Sequence, residues 1–355
     1  MNDKLQEYRN KIDGIDLKIL KLLNERAETA VKIGELKNSA SKTVYVPSRE
    51  VEVINNLLKS NSGPLEKEDI LNIYKEIMSV CRAKEEKIKV SYLGPEATFS
   101  HQAALRQFGS KAEFISLPRF EDVVYEVEKS RADFAVVPIE NSNEGAVSTT
   151  LDLLVDTKLN VINEINMRVS PCLLSNARME NIKIVYSHQQ PLAQCSSWLH
   201  KHLPNAKISS VGSTAEAAKL AAKNENSAAV ASEIAAKIYN LNILAKSIED
   251  SRDNWTRFFV LGKNKALRTG NDKTTIIFSI KDKISALHDI LSVFSKNKIN
   301  LTKIESRPTK KKAWQYLFFL DFVGHADDKK VREVLEEVEK DCVFLKVLGS
   351  YPKAD

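Results

Sequence analysis

The sequence predicts a multidomain chain: an all-α helical segment over 1–87, a two-lobed α/β segment over 88–265 and an α+β ferredoxin-like segment over 266–355. Three observations predict it. The chain has 355 residues, room for two or three domains at roughly 150 residues each. Near residue 88 the apolar period changes from steps of three and four to short runs alternating with amphipathic stretches. After the polar linker Gly262–Asp272, a strand–helix–strand–strand–helix–strand order follows, which is the split βαβ unit.

In the first segment Leu5, Tyr8, Ile12, Ile15, Ile19 and Leu22 form a heptad seam. With no proline before Pro47, one helix is predicted over about 3–38. Arg26 and Thr29 occupy the next seam positions before Ile33 and Leu36 resume it. An Arg inside an apolar seam needs a partner, because a lone buried charge is costly. Pro47-Ser48-Arg49-Glu50 opens a second helix with Ser48 as its N-cap. A third is predicted over Glu66–Lys87.

In the second segment strands are predicted over 89–93, 112–116, 133–139, 182–186, 207–211, 227–231 and 257–261. Helices fill 99–109, 119–130, 191–203, 214–224 and 232–239, and residues 140–180 cross between two similar halves. Such alternation predicts largely parallel sheets and a cleft between lobes. In the third, strands 273–281, 299–306, 313–323 and 343–348 enclose helices 285–297 and 327–341.

Composition narrows the function. With 53 Lys+Arg against 47 Asp+Glu, the net charge of +6 excludes a strongly basic nucleic-acid tail. Cys81, Cys172, Cys195 and Cys342 form no CxxC pair, so a reducing cytoplasm is expected. No signal peptide and no membrane-spanning run is read. The histidines have no metal-ligand spacing, and no metal or other cofactor is expected.

Arg9, Arg26, Lys37 and Arg49 are the candidate cations of the helical segment. Arg26 and Lys37 are eleven residues apart, three turns plus about 20°, so they share a face about 16 Å along the axis. Arg matches a carboxylate with paired N–H donors, and four cations could hold a dicarboxylate. The competing reading is a solvated helix with ion pairs, and Arg26 on the seam weighs against it.

Tyr8-Arg9-Asn10-Lys11-Ile12-Asp13, Asn24-Glu25-Arg26, Lys37 and Pro47-Ser48-Arg49-Glu50 resemble the all-helical chorismate mutases. The resemblance implies that Arg26, Lys37, Arg49 and Glu50 surround chorismate and that Arg9 reaches in from the partner chain of an interlocked dimer. The implied reaction is the pericyclic rearrangement to prephenate, helped by holding the reactive conformer and stabilising charge on the breaking ether oxygen. Where many members have Ser and Gln, this chain has Cys81 and Glu85. Gln donates at any pH and Glu only when protonated, so Glu85 is expected as a second donor to that oxygen in its acid form. The rival reading leaves Glu85 in the solvated run Lys84-Glu85-Glu86-Lys87.

In the second segment, polar strings follow apolar strands, where ligands sit in open α/β sheets. Gly94-Pro95-(x)2-Thr98-Phe99-Ser100, Pro138-Ile139-Glu140-Asn141-Ser142-(x)2-Gly145, Ser187-His188-(x)2-Pro191-Leu192-Ala193-Gln194-Cys195 and Asn254-(x)-Thr256-Arg257-Phe258 together resemble prephenate dehydratase. That family has two lobes like periplasmic binding proteins, with the site between them. The resemblance implies loss of the ring hydroxyl and CO2 to give phenylpyruvate, with Thr256 as donor to the leaving oxygen. Arg257, Thr98, Ser100, Asn141, Ser142, Ser187 and Gln189 are the implied lining for the two carboxylates. Without the other strings, Arg257 reads as a surface ion pair and Thr256 as an ordinary strand threonine.

Glu305-Ser306-Arg307-Pro308, after Asn300 and Leu301, resembles the ACT regulatory domain. It implies phenylalanine bound between two ACT domains, near Ala286, Leu287, Asn300 and Leu301 and the Glu305–Pro308 string. The family usually has Gly where this chain has Ser285, and Gly lets backbone approach a ligand closely. The expectation is a bifunctional enzyme inhibited by phenylalanine, at least a homodimer and compatible with a tetramer, without nucleic-acid or membrane partners. Two rivals are a dehydratase whose helical segment is a regulatory relic, and a non-catalytic amino-acid sensor.

Overall fold

The computed structural model describes residues 2–39, 45–251, 253–281, 283–308 and 316–354. The chain forms two compact units, Met1–Ile88 with Phe108–Glu113, and Lys89–Gln107 with Phe114–Asp355.

The first unit contains α1 (Asn2–Ser39), α2 (Pro47–Ser60) and α3 (Lys67–Glu85). Ser48 is not the cap of α2: Pro47 takes the first helical turn and Val46 precedes it in extended conformation. Proline's fixed φ and missing N–H suit that position. The Asp69 carboxylate accepts from Glu66 N at 3.0 Å, satisfying a donor at the start of α3. Gly34 of α1 lets α3 come close, since a Cβ there would lie 2.9 Å from Glu85 Cβ. The amino-terminal seam has no such cover: Leu5, Tyr8, Ile12, Ile15, Ile19 and Leu22 are 44% to 63% exposed.

In the second unit β1 (Lys89–Leu93), α4 (Phe99–Phe108), β2 (Glu113–Leu117), α5 (Phe120–Glu128), β3 (Phe134–Asn141), β4 (Gly145–Ala146), α6 (Ser148–Asp156) and β5 (Asn160–Arg168) build the first lobe. The second has β6 (Cys172–Ser175), β7 (Ile184–Ser187), α7 (Gln189–Gln194), α8 (Ser196–His202), β8 (Lys207–Ser210), α9 (Thr214–Lys223), β9 (Ser227–Ala231), α10 (Glu233–Tyr239) and β10 (Asn242–Ala245). The chain then returns to the first lobe as β11 (Trp255–Gly262), giving strand orders β2-β1-β3-β11-β5 and β10-β6-β9-β7-β8.

The sheets are mixed rather than largely parallel. β1 pairs β3 in parallel, but β11 runs antiparallel to both β3 and β5. In the second sheet β7 is parallel to β8 and β9, while β6 is antiparallel to β9 and β10. The crossing over 140–180 holds α6, β5 and β6, and the helix predicted over 191–203 breaks at Cys195.

The third sheet comprises β12 (Asp272–Ile280), β13 (Leu301–Pro308), β14 (Tyr316–Val323) and β15 (Cys342–Pro352), with α11 (Ala286–Lys296) and α12 (Lys329–Asp341). Its order β13-β14-β12-β15, antiparallel throughout, is that of the split βαβ fold. The predicted start of the third strand, 313–315, lies outside the described residues.

One face of this sheet packs on α11 and α12 through Ile276, Phe278, Ile290, Phe294, Leu320, Phe322, Val334 and Val338. The other shares a core with the first lobe, where Ile277, Phe319, Leu348 and Tyr351 meet Val137, Ile139, Leu154, Val161 and Phe259. Each fully buried apolar side chain contributes about 2 kcal/mol. At Gly349 of β15 the approach is closest, since a Cβ would fall 2.1 Å from the Val161 carbonyl oxygen of β5. The same sheet holds both ends of α6. Arg307 donates to Ser148 Oγ at 2.6 Å, and Lys346 Nζ donates to the Leu154 and Val155 carbonyl oxygens at 3.1 and 2.9 Å.

Candidate active sites

The helices of the first unit line an open pocket of about 650 Å³, within the range of small-molecule sites. Leu22, Ile33, Val46, Val53 and Met78 form apolar wall, and Arg26, Lys37, Arg49, Glu50 and Glu85 bring charge to it. Arg26 and Lys37 share one face of α1, and Glu85 joins them because Met78, Cys81, Arg82 and Glu85 recur at helical spacing on α3. Lys37 Nζ lies 3.2 Å from Glu85 Oε2. The Glu85 side chain is 9% exposed, so it does not belong to a solvated run. It is the ion-pair partner of Lys37.

Arg49 lines the pocket while pairing with Glu52 at 2.7 Å. Glu50 pairs with Arg82, which also donates to the Phe108 carbonyl at 2.8 Å and lies 5.2 Å from the Tyr45 ring centroid. Burial pushes the Glu50 carboxyl above the usual range, opposed by Arg82, Lys75 and Arg26. Arg82 is not among the candidate cations of the sequence, although an Arg on the apolar stripe of α3 carries the same signal as Arg26 on the seam of α1. Arg9 does not line this pocket. It precedes Arg26 by seventeen positions, about 26 Å along a helix.

In the second unit, β3 and β11 pair so that Asn141 stands opposite Thr256 and Glu140 opposite Arg257. Asn141 Oδ1 accepts from the backbone N–H groups of Asn143 and Glu144 at 3.0 and 3.3 Å. Those donors fix the carboxamide, so its Nδ2 faces Thr256 Oγ1 at 2.9 Å and Asn254 Oδ1 at 2.8 Å. Asn254 Nδ2 in turn donates to Gln194 Oε1 at 2.9 Å, tying β11 to α7 of the second lobe. Thr256 Oγ1 thus accepts a bond, and its own proton is not used in it. Asn254 and Gln194 stand in the sequence strings, but nothing local in the sequence sets them apart as partners of Asn141.

The remaining implied lining divides. Thr98 caps α4, accepting from His101 N and donating to the Leu93 carbonyl, both at 3.3 Å. Ser100 is buried and Gln189 exposed at the start of α7. Ser142 Oγ donates to the Asp253 carbonyl at 2.6 Å and accepts from Trp255 N at 2.9 Å, which pins the loop. Ser187 is fully buried and donates to the Val230 carbonyl at 2.6 Å, so it bonds neighbouring strands rather than lining a cleft.

Arg257 is a correction. Adjacent strand residues point to opposite faces, so with Thr256 turned to Asn141, Arg257 turns to the third sheet. Its Nε donates to Glu164 at 2.7 Å and its Nη2 to Tyr351 OH at 2.9 Å, and Asp321 accepts from Nη1. Lys273 also reaches Glu164, at 2.9 Å. The residue is neither a surface ion pair nor a carboxylate clamp but the hub of a buried network.

In the ACT-like sheet, Ala286 is buried at the first position of α11, Leu287 follows on it, and Asn300 and Leu301 stand at the start of β13. The nine helical residues 288–296, about 14 Å of helix, separate the two groups within one chain. Glu305 and Arg307 alternate with Ser306 and Pro308 along β13. Arg307 is directed at Ser148 and Asp152 of α6 rather than at α11, which corrects the expectation for its side chain. Ser285 sits in the left-handed region at φ 62°, ψ 11°, so glycine suits this position through backbone conformation as well as close approach.

Among the described residues no group of three or more His, Cys, Asp or Glu is placed to hold a metal ion, and no helix is long and apolar enough to cross a membrane.

A pocket of paired cations in a helical unit, and a hydroxyl held by an oriented amide in a two-lobed unit carrying a ferredoxin-like sheet, define an enzyme with two small-molecule centres and a regulatory domain. Three family models match in order: chorismate mutase type II over 8–86, prephenate dehydratase over 90–266 and ACT domain over 274–340. The bifunctional chorismate mutase/prephenate dehydratase of Aquifex aeolicus is 49% identical over 357 residues, covering 99% of each chain. That of Pseudomonas aeruginosa is 42% identical over 359 residues, covering 99% of this chain and 98% of its own. Among solved structures, prephenate dehydratase from Arthrobacter aurescens in complex with L-Phe superposes with a TM-score of 0.70 at 35% identity, covering 76% of this chain and 91% of that one. The chain belongs to the bifunctional chorismate mutase/prephenate dehydratase family.

Proposed function

We infer that this chain converts chorismate to prephenate in its helical unit and prephenate to phenylpyruvate in its two-lobed unit, under feedback inhibition by phenylalanine. What favours this over a relic or a sensor is that both centres keep their chemistry in one chain. Arg26, Lys37 and Arg49 line one pocket, and Thr256 is held by an amide whose orientation the backbone dictates.

In the mutase pocket, Arg26 and Arg49 take the chorismate carboxylates and the apolar wall selects the compact reactive conformer. Lys37 turns from Glu85 to the ether oxygen and stabilises the charge that develops there. Glu85 is the second donor when it carries its proton, and Glu50, anchored by Arg82, faces the substrate hydroxyl. Arg9 completes the pocket of a second chain, and the exposed seam of α1 is the surface by which two chains pair.

In the dehydratase cleft the C–CO2 bond of the quaternary carbon breaks, and its electron pair enters the ring as the ring C–O bond breaks. The departing hydroxide takes a hydrogen bond, and finally a proton, along a chain that begins at Thr256. A threonine hydroxyl is too weak an acid to act alone, so it orients the donor chain. Thr98, Ser100 and Gln189 are the candidate contacts to the carboxylates, and Arg257 acts from behind the strand.

Phenylalanine binds between the ACT sheets of two chains, contacting Ala286 and Leu287 of one and Asn300 and Leu301 of the other. The four free, buried cysteines support a reducing compartment, the cytoplasm. One experiment tests the whole reading: purified protein is given chorismate, then prephenate, and phenylpyruvate is followed with and without phenylalanine. Product from both substrates, suppressed by phenylalanine, is expected. Product from prephenate alone identifies a relic, and none from either a sensor.

A further inference from the structure

The rung of the first sheet that carries Asn141 and Thr256 has a second side. Because side chains alternate along a strand, Glu140 and Arg257, their neighbours on β3 and β11, project from the opposite face toward the third sheet. The contacts there differ in kind. Arg257 is held by Glu164, Asp321 and Tyr351, and Thr275 also bonds both Asp321 and Tyr351, at 2.6 Å each. Such a hub is buried and over-determined, and opening it would strand several charges. Glu140 instead has Lys303, whose Nζ lies 2.6 Å from its Oε2, while Arg257 Nη1 is 4.0 Å from the same oxygen.

Lys303 belongs to β13, the edge strand of the ACT sheet, which pairs with β14 alone. The Glu140 side chain is 36% exposed, while Lys303 is 12% exposed and its buried Nζ makes no well-oriented hydrogen bond, so this contact is a single ion pair, far less constrained than the hub, and its carboxylate end is free to shift toward water. Glu140 is covalently next to Asn141, whose amide donates to Thr256 at 2.9 Å. We propose that the Lys303–Glu140 ion pair is the positioning contact through which the ACT domain sets the Asn141–Thr256 pair and so passes phenylalanine inhibition to the dehydratase centre. The Arg257 hub serves as the fixed pivot, and the Lys303 contact is the part that changes. A displacement of β13 moves the Glu140 carboxylate, tilts the end of β3 and withdraws the Asn141 donor from Thr256. This rests on the reading that phenylalanine regulates the enzyme.

The test uses the full chain carrying Lys303→Met, Glu140→Gln, or the charge exchange Lys303→Glu with Glu140→Lys. Dehydratase rates are measured against phenylalanine concentration, and phenylalanine binding by calorimetry without substrate. With inhibition expressed relative to each variant's own rate without phenylalanine, the single variants should bind phenylalanine within about threefold of the unaltered Kd and need about tenfold more for half-inhibition, within the range of allosteric coupling factors. The charge exchange should restore inhibition, which a merely structural role would not. Single variants inhibited like the unaltered enzyme overturn the proposal alone. So does loss of phenylalanine binding in step with inhibition, which would place Lys303 in the ligand site. An unaltered enzyme that phenylalanine does not inhibit overturns the regulatory reading and the coupling with it.

Discussion

Asn141 and Thr256 face one another across β3 and β11, and the Asn141 amide donates to Thr256 Oγ1 at 2.9 Å while two backbone N–H groups hold its carbonyl oxygen. The bond fixes where the threonine proton can point. Asn141→Ala is therefore expected to lower dehydratase kcat about 100-fold, the scale of one lost donor in an active site, with KM less affected. Mutase activity in the same preparation should be unchanged. Steady-state kinetics with prephenate and with chorismate check both, and a normal dehydratase rate would remove Asn141 from the mechanism.

Glu85 replaces an amide that donates at every pH with an acid that donates only when protonated. Glu85→Gln should therefore give a mutase rate that depends less on pH than that of the unaltered enzyme. The substitution also frees Lys37, now 3.2 Å from the carboxylate, so the variant should be no slower at neutral pH. An unchanged profile in Glu85→Gln would exclude the residue as a donor.

Glu50 links the helical unit to pH through stability. Burial raises its carboxyl above the ordinary value. As pH climbs past that ordinary value, the unfolded chain releases the proton while the folded chain keeps it. Stability falls with rising pH across this window and levels once Glu50 itself ionises. Glu50→Gln lacks the effect, so the stability of the unaltered protein minus that of the variant should shrink as pH rises. Denaturant midpoints at a series of pH values measure this, and a difference that grows would contradict the burial-dominated shift.

The helices of the first unit and the ββ-rich third segment were legible because their periods are clean. Residues 160–168 were not. β5 reads Asn-Val-Ile-Asn-Glu-Ile-Asn-Met-Arg, and its Asn163 and Glu164 break the apolar run although both are buried. Glu164 is tolerated because Arg257 and Lys273 meet it, partners that lie 93 and 109 residues away. Long-range pairing of this kind leaves no local signature. For Arg257 the strand period itself carries the information: Thr256 and Arg257 are adjacent on a strand, so only one can face the cleft. The seam of α1 is legible as a seam, but only the structure shows that it stays exposed within the chain, at Ile33 and Leu36 as well as from Leu5 to Leu22.

Gly349 makes the contact between the ACT sheet and the first lobe possible. A Cβ would lie 2.1 Å from the Val161 carbonyl oxygen and 2.9 Å from Val161 C and N. All three are backbone atoms of a paired strand and cannot step aside alone. Gly349→Ala should cost about 3 kcal/mol, the upper range for overpacking, seen as a lower denaturant midpoint. Because β15 carries Tyr351, which bonds Arg257 at 2.9 Å, the variant should also lose dehydratase activity before mutase activity on heating. Unchanged stability would mean that the two strands separate more easily than their shared core implies.

Ser285 offers the opposite change. It precedes α11 with φ 62° and makes no side-chain cap bond to the helix. A Cβ in the left-handed region costs about 1–2 kcal/mol, whereas glycine adds about 0.5–1 kcal/mol of chain entropy to be lost on folding. The balance favours glycine, so Ser285→Gly should stabilise the protein by about 0.5–1 kcal/mol and raise the denaturant midpoint. Ser285→Val tests the cause, since a β-branched residue resists this conformation more strongly and should lower the midpoint. If glycine lowers it and valine does not, the left-handed backbone is not what limits this turn, and the hydroxyl of Ser285 must carry the stabilising contact.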